Sequence, residues 1–401
     1  MIKQKILIIT EYFYPEEFKI NDVALTWKEK GYDVDVVTTV PSYPESRIYD
    51  GYENKLYQID NWQGIKIYRV KAVTGYKTSL LKKLLKYFSF MFFASFVSLN
   101  IGKKYDYIFG FNMASLTGMI PAVLVKKAYK KRLTFWTQDI WPDSVYAYGF
   151  KKTKFLSFFL NRFVRFMYHN IDAIAISGKG FEKKLKPYVK TDLVFNYIPN
   201  WADEFDINLT SAKLSEEKKI HFTFAGNIGK VQNLENIIQS FNNLDEKYMD
   251  KIQLNIIGDG SALNNLKELN KKSNVLFYGR KPREDMFMYY QASDFLIVSL
   301  IDKPIFSVTV PAKTQTYIAA KKPILAIING DTAQIVEENN LGFIAHPNSL
   351  QDIENIFKKS IELTNKEKDI FTKNCEKLTN SIFHKNKIID KLESIVIQQG
   401  V

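Results

Sequence analysis

Lys313 falls in the first helical turn of the segment Phe306–Pro323 (FSVTVPAKTQTYIAAKKP), where Pro311 marks a helix start. A lysine there opposes the helix dipole, and a bound diphosphate would offset that penalty. The preceding Ser307, Val308 and Thr309, with Val310, can present backbone N–H groups to phosphate oxygens. A second phosphate-sized loop is Ala225–Leu234 (AGNIGKVQNL). Gly226 and Gly229 allow close backbone approach, Asn227 lies between them, and Lys230 can meet an anion. A lone GxxG is also an ordinary turn, so its weight comes from position. In Tyr278–Arg283 (YGRKPR), Gly279 and Arg280 can line a base or a diphosphate, or can be plain surface charge. Trp136–Ser144 (WTQDIWPDS) sets Gln138 and Asp139 between Trp136 and Trp141, polar groups suited to a hydroxyl-rich substrate. The plainer alternative is a helix cap at Asp143 with structural tryptophans. Glu11–Asp22 (EYFYPEEFKIND), which holds Glu17 and Asn21, leads into a helix starting near Asn21. It lacks the glycine fingerprint of a dinucleotide site and also reads as an aromatic loop with an Asn/Asp cap.

These segments matter because of what precedes them. Apolar runs at Lys5–Thr10, Asp33–Thr39, Ile65–Val70, Tyr105–Phe111, Leu133–Gln138 and Asp172–Ser177 alternate with helix-length stretches. A second series follows the polar stretch Thr210–Lys219, with strands at His221–Ala225, Gln253–Ile257, Asn274–Tyr278, Asp294–Leu300 and Pro323–Ile328. Helices are expected at about 233–244, 261–272, 283–292, 311–321 and 331–339. Strands alternating with helices predict two α/β, Rossmann-like domains with parallel sheets. The boundary is placed near residue 200, within Ile198–Asp203, and a charged helical segment closes the chain from about 365 to 398. Open α/β sheets bind ligands beyond the carboxyl ends of their strands, and two such sheets facing each other would share one cleft.

Composition narrows the partners. The chain has 401 residues and a formal charge of +13, which suits nucleic acid, anionic lipid or phosphorylated small molecules. Nothing in it reads as a helix-turn-helix, zinc finger or aromatic RNA-binding signature, so nucleic acid is set aside. The single cysteine, Cys375, excludes an internal disulfide. His169, His221, His346 and His384 lack metal-ligand spacing, and no metal site is expected. MIKQKILIIT reads as a first strand rather than a signal peptide, which makes a cytoplasmic location the default. Thr78–Lys104 and Lys152–His169 mix phenylalanine with basic residues. The uncharged run Tyr87–Ile101 is shorter than the roughly 20 residues a span needs. Both segments fit helices lying on an anionic membrane surface, or amphipathic core helices with basic outer faces.

The segments FAGNIGKVQNLENIIQSF, IIGDGSALNNLKEL, FYGRKPREDMFMYYQASDFLIVSL and VPAKTQTYIAAKKPILA resemble the retaining glycosyltransferases of family 4, and the likeness runs over nearly the whole length. TQDIWPDS and IPNW look closest to a branch acting on 6-deoxy amino sugars such as N-acetyl-L-fucosamine in capsule and O-antigen assembly. The resemblance implies the GT-B fold, two Rossmann-like domains facing each other across a cleft. Domains would fall at 1–200 for the acceptor and membrane side and 201–370 for the donor, with a helix at 371–401 crossing back. It implies a UDP-sugar donor without a metal, and a lipid-diphosphate-linked saccharide acceptor at the inner face of the cell membrane. Catalysis would rest on Gln138, Asp139 and Lys313. Gly226, Asn227, Gly229, Lys230, Gly279, Arg280, Ser307, Val308, Thr309 and Thr316 would hold the donor. Glu17, Asn21 and Trp141 would serve the acceptor.

The chain departs from the family pattern in three places. Gln138 stands where many members have histidine, so its role would be a neutral hydrogen bond. Asn227 and Gln232 sit nearest the family's diphosphate-binding Arg and Lys. Val308 and Thr316 replace a pair of glutamates eight positions apart. A nucleotide-sugar 2-epimerase and a non-catalytic membrane-bound assembly partner are the alternatives.

Overall fold

The computed structural model describes residues 3–75, 79–147, 150–202, 204–205, 214 and 219–397. Most of Thr210–Lys219 lies outside them, as do Thr78, Asp203 and the residues after Ile397. The chain divides into two compact units, Met1–Pro199 with Ile388–Val401, and Asn200–Lys387. The stretch 371–387 thus groups with the second unit.

The first unit is an eight-stranded sheet. Its strands are β1 (Lys5–Ile9), β2 (Asp33–Thr39), β3 (Tyr57–Trp62), β4 (Ile65–Val70), β5 (Tyr107–Asn112), β6 (Arg132–Thr137), β7 (Ala173–Ile176) and β8 (Phe195–Tyr197), in the order β3-β4-β2-β1-β5-β6-β7-β8. All pairs are parallel except the antiparallel β3–β4 hairpin. Its helices are α1 (Lys19–Glu29), α2 (Leu80–Gly102), α3 (Ile120–Tyr129), α4 (Asp143–Ala147), α5 (Lys154–His169) and α6 (Phe181–Leu185). Continuous apolar runs such as KILII form strands because helices cover both faces of a parallel sheet. Right-handed crossovers set α1 on one face and α2, α3 and α5 on the other. Trp27 of α1 is fully buried against Phe109 of β5, with ring centroids 5.2 Å apart.

The second unit is a six-stranded parallel sheet of β9 (Ile220–Ala225), β10 (Ile252–Ile257), β11 (Val275–Gly279), β12 (Phe295–Ser299), β13 (Ile324–Ile327) and β14 (Gly342–Ala345). The order β11-β10-β9-β12-β13-β14 is doubly wound. Its helices are α7 (Leu234–Asn242), α8 (Glu246–Met249), α9 (Leu263–Leu269), α10 (Met286–Ala292), α11 (Ala312–Ala319), α12 (Asp331–Glu338), α13 (Leu350–Glu362) and α14 (Asn365–Thr379). The expected closing helix is two helices, α14 and α15 (Lys385–Val396). A Thr364–Glu367 capping box starts α14. From Ile388 on, α15 belongs to the first unit. There Lys30 pairs with Asp390 and Glu393, Tyr32 donates to Glu393 at 2.8 Å, and Arg132 donates to Ile395 O at 3.2 Å.

Strands β3, β8 and β14 were not expected. The first is an edge strand with alternating exposure, and the other two have only three and four residues. β3 alternates and β8 is interrupted by Asn196, whereas β14 (GFIA) is apolar but only four residues long.

Candidate functional site

The second unit builds its site from loops at the carboxyl ends of its strands. Three are locked together by backbone. After β9, Gly226 N donates to Ile257 O (2.9 Å), and Ile228 N donates to Asp259 O (2.8 Å). Gly258 N donates to Gly279 O at the end of β11 (2.9 Å). Gly258 has φ +140°, and a Cβ there would lie 1.8 Å from Gly226 O, so only glycine allows this approach.

Lys313 projects from the first turn of α11. Its Nζ donates to Gln232 Oε1 at 3.2 Å and lies 3.8 Å from the Phe224 ring centroid. A Cβ on Gly226 would come within 3.3 Å of that nitrogen, so Gly226 also leaves room for the ammonium. The residue keeps some surface, but its charged end is withdrawn from water. That desolvation pushes its pKa down to about 7. One turn along α11, Tyr317 accepts from Ala225 N (3.2 Å) and donates to Ala225 O (3.3 Å). This fixes the helix, and hence Lys313, to the end of β9.

The other predicted donor residues surround this centre unevenly. Gly229 precedes a short 3-10 turn, Lys230–Gln232, and Asn227, Lys230 and Arg280 are exposed. The backbone of Ser307 and Thr309 differs from expectation. Phe306–Val308 is a 3-10 turn in which Ser307 N donates to Lys303 O and Thr309 N to Phe306 O, both at 3.3 Å. Those two N–H groups are engaged within the turn rather than presented outward. Gly330 (φ +79°) packs against the same turn, where a Cβ would lie 1.7 Å from Ser307 O. Val308 is partly buried in this turn, and Thr316 Oγ1 donates back to Ala312 O at 3.2 Å.

In the first unit, Gln138 follows β6 and its N–H donates to Asn112 O at the end of β5 (2.8 Å). Asp139 Oδ1 accepts from Ile140 N (2.9 Å). Both residues are half-buried. Trp141 meets Phe163 edge-on at 6.2 Å, Trp136 donates to Ile198 O (3.0 Å), and Asp143 pairs with Lys184 at 3.1 Å. Asn21 does not cap a helix. Helix α1 starts at Lys19 with Phe18 as its cap residue, and Asn21 Nδ2 instead donates to Glu16 O (2.7 Å). Glu17 is exposed. Sequence reasoning missed Glu16, which accepts from Ser42 N (2.8 Å) and Tyr43 N (2.7 Å) and whose pKa burial raises. It also missed Phe224, which its strand register marks only as core. For Tyr317 the signal was present, since it stands four residues from Lys313 on a helix.

Residues 206–377, within the second unit, match the family model described as "Glycosyl transferases group 1". The fold of the chain is GT-B. Among curated proteins, the chain is 26% identical over 252 residues to the "Probable glycosyltransferase WbjE" of Pseudomonas aeruginosa, covering 58% of this chain and 62% of that one. It is 24% identical over 261 residues to the "Putative colanic acid biosynthesis glycosyl transferase WcaI" of Escherichia coli K12, covering 60% and 61%. The matches thus span under two thirds of these relatives' lengths. Among solved structures, Anabaena HepE in complex with UDP and glucose superposes with a TM-score of 0.64 at 13% identity, covering 99% of this chain and 100% of that one.

Proposed function

We propose that the protein transfers a sugar from a UDP-linked donor to a lipid-diphosphate-linked saccharide in capsular or O-antigen polysaccharide assembly. An amino sugar such as N-acetyl-L-fucosamine is the proposed donor sugar. The observation that carries this reading is Lys313. A desolvated ammonium sits at the glycine-lined ends of a doubly wound sheet, and among the described residues no carboxylate pairs with it. Such a cation gains an ion pair when a diphosphate arrives. The names of the relatives, and a fold shared with a UDP-bound structure, support the donor and the pathway class.

In the reaction, the bond from the sugar's anomeric carbon to the diphosphate oxygen breaks. A bond from that carbon to the acceptor oxygen forms, and the acceptor proton passes to the departing diphosphate. Lys313 stabilises the charge that develops there, so no metal is required. Gln138 and Asp139 are proposed to hydrogen-bond the donor sugar, with Glu17, Asn21 and Trp141 on the acceptor side. Purified Lys313→Met, assayed for UDP release with a lipid-diphosphate saccharide, should lose turnover without a fall in its melting temperature. Turnover near that of the parent would remove the assignment. Donor converted without acceptor would point to an epimerase.

Location at the inner membrane face is part of the proposal. Helix α2 exposes Leu81, Leu85, Phe88, Phe92 and Phe96, one stripe at helical spacing. Its opposite side buries Lys86, Phe90, Ala94 and Ser98. By length and composition Leu84–Gly102 is long and apolar enough to cross a membrane. The covered side favours lying in the interface instead. Helix α5, on the same face of the sheet, exposes Phe155, Phe158, Phe159 and Phe166 beside Arg162 and Arg165. Lys127 of α3 lies 4.6 Å over the Phe166 ring. Aromatic insertion beside cations matches an anionic lipid surface. Co-sedimentation with phosphatidylglycerol vesicles, but weakly with phosphatidylcholine vesicles, is the expected result. Equal failure with both would refute surface binding.

A further inference from the structure

The β3–β4 hairpin carries a polar cavity of about 530 Å³ that no step above uses. Strand alternation turns Gln58, Asp60 and Trp62 of β3 to one face, opposite Arg69, Ile67 and Ile65 of β4. Tyr14, from the loop after β1, stacks on Trp62 with centroids 4.6 Å apart and planes at 11°. Tyr52 closes another side, with the Arg69 guanidinium 5.0 Å from its ring centroid.

The charges of this cavity cancel. Buried Arg69 pairs with Asp60 and donates to Tyr14 O at 2.6 Å. At the rim Lys55 pairs with Glu53 at 2.7 Å. No net cation remains to favour a phosphate. What remains is three aromatic rings beside the Gln58 amide and carboxylate oxygens. That is the chemistry of a pyranose, whose C–H face packs on rings while its hydroxyls meet planar amide and carboxylate groups.

We propose that this cavity binds one pyranose ring of a neutral saccharide. Naming that saccharide as part of the acceptor rests on the function proposed above, whereas the binding itself does not. The test uses the full chain without nucleotide. Cellobiose and N,N′-diacetylchitobiose are titrated separately, followed by saturation-transfer NMR. At least one is expected to bind, and Trp62→Ala and Gln58→Leu are each expected to weaken it about tenfold. UDP-glucose binding, measured in the same samples, should be unchanged in both variants. Absence of binding by both disaccharides, parent-like affinity in both variants, or displacement by UMP would overturn the proposal. Loss of UDP-glucose binding by the parent chain alone would strike the proposed function and leave this subsite standing.

Discussion

On the proposed function, Lys313 makes nucleotide-sugar binding sensitive to pH in a calculable way. In the free protein desolvation holds its pKa at about 7. A bound diphosphate favours the ammonium and moves the pKa back toward its ordinary value of 10.5. Between those two values binding takes up a proton, so affinity falls as pH rises. The loss scales with the free protein's neutral fraction, which gives about a tenfold weaker Kd at about pH 8 than at about pH 6. UDP-glucose suits the measurement because its diphosphate lacks a titrating terminal phosphate. Calorimetry in two buffers of different ionisation enthalpy reads the proton uptake directly. Lys313→Arg keeps its charge throughout and should bind with a flat profile. Lys313→Met should bind weakly at every pH. The unfolded chain holds a proton on this residue that the folded chain releases above about 7. Its own contribution therefore makes stability rise with pH across that window. An unvarying Kd for the parent, or the same slope in Lys313→Met, would refute the reasoning.

Gly258→Ala forces a Cβ into Gly226 O at positive φ, so urea unfolding should show a loss of more than about 2 kcal/mol. Trp27→Ala empties a site against Phe109 and should cost about 3–5 kcal/mol by the same measurement. Phe92→Glu with Phe96→Glu should abolish vesicle binding while circular dichroism stays unchanged, because both rings face outward. A chelator such as EDTA should leave turnover as it was, and a loss restored by a divalent cation would contradict a charge-neutralising lysine.

The buried strands were readable because parallel sheets covered on both faces demand unbroken apolar runs. All eleven of those expected appear, two with the expected bounds and the rest with ends displaced by a residue or two. The hairpin strand β3 was not readable, because half of its side chains face solvent and its pattern is that of a loop. At the candidate site, the position of Lys313 in the first turn of α11 was legible from helix-start chemistry alone. What surrounds it was not, since Gln232 and Phe224 reach it through tertiary contact across 81 and 89 positions of chain. The Ser307–Thr309 turn misled for a related reason. A Ser-Val-Thr-Val run before a proline does not reveal whether its N–H groups close on their own loop.

The return of α15 to the first unit couples the order of synthesis to the order of folding. Domains fold as they emerge, in sequence. The first sheet is complete in primary structure by Pro199, yet Lys30, Tyr32 and Arg132 must wait for Asp390, Glu393 and Ile395. During translation the whole second unit is made while the first still lacks a piece. A nonsense mutation anywhere between the two would harm the half already built.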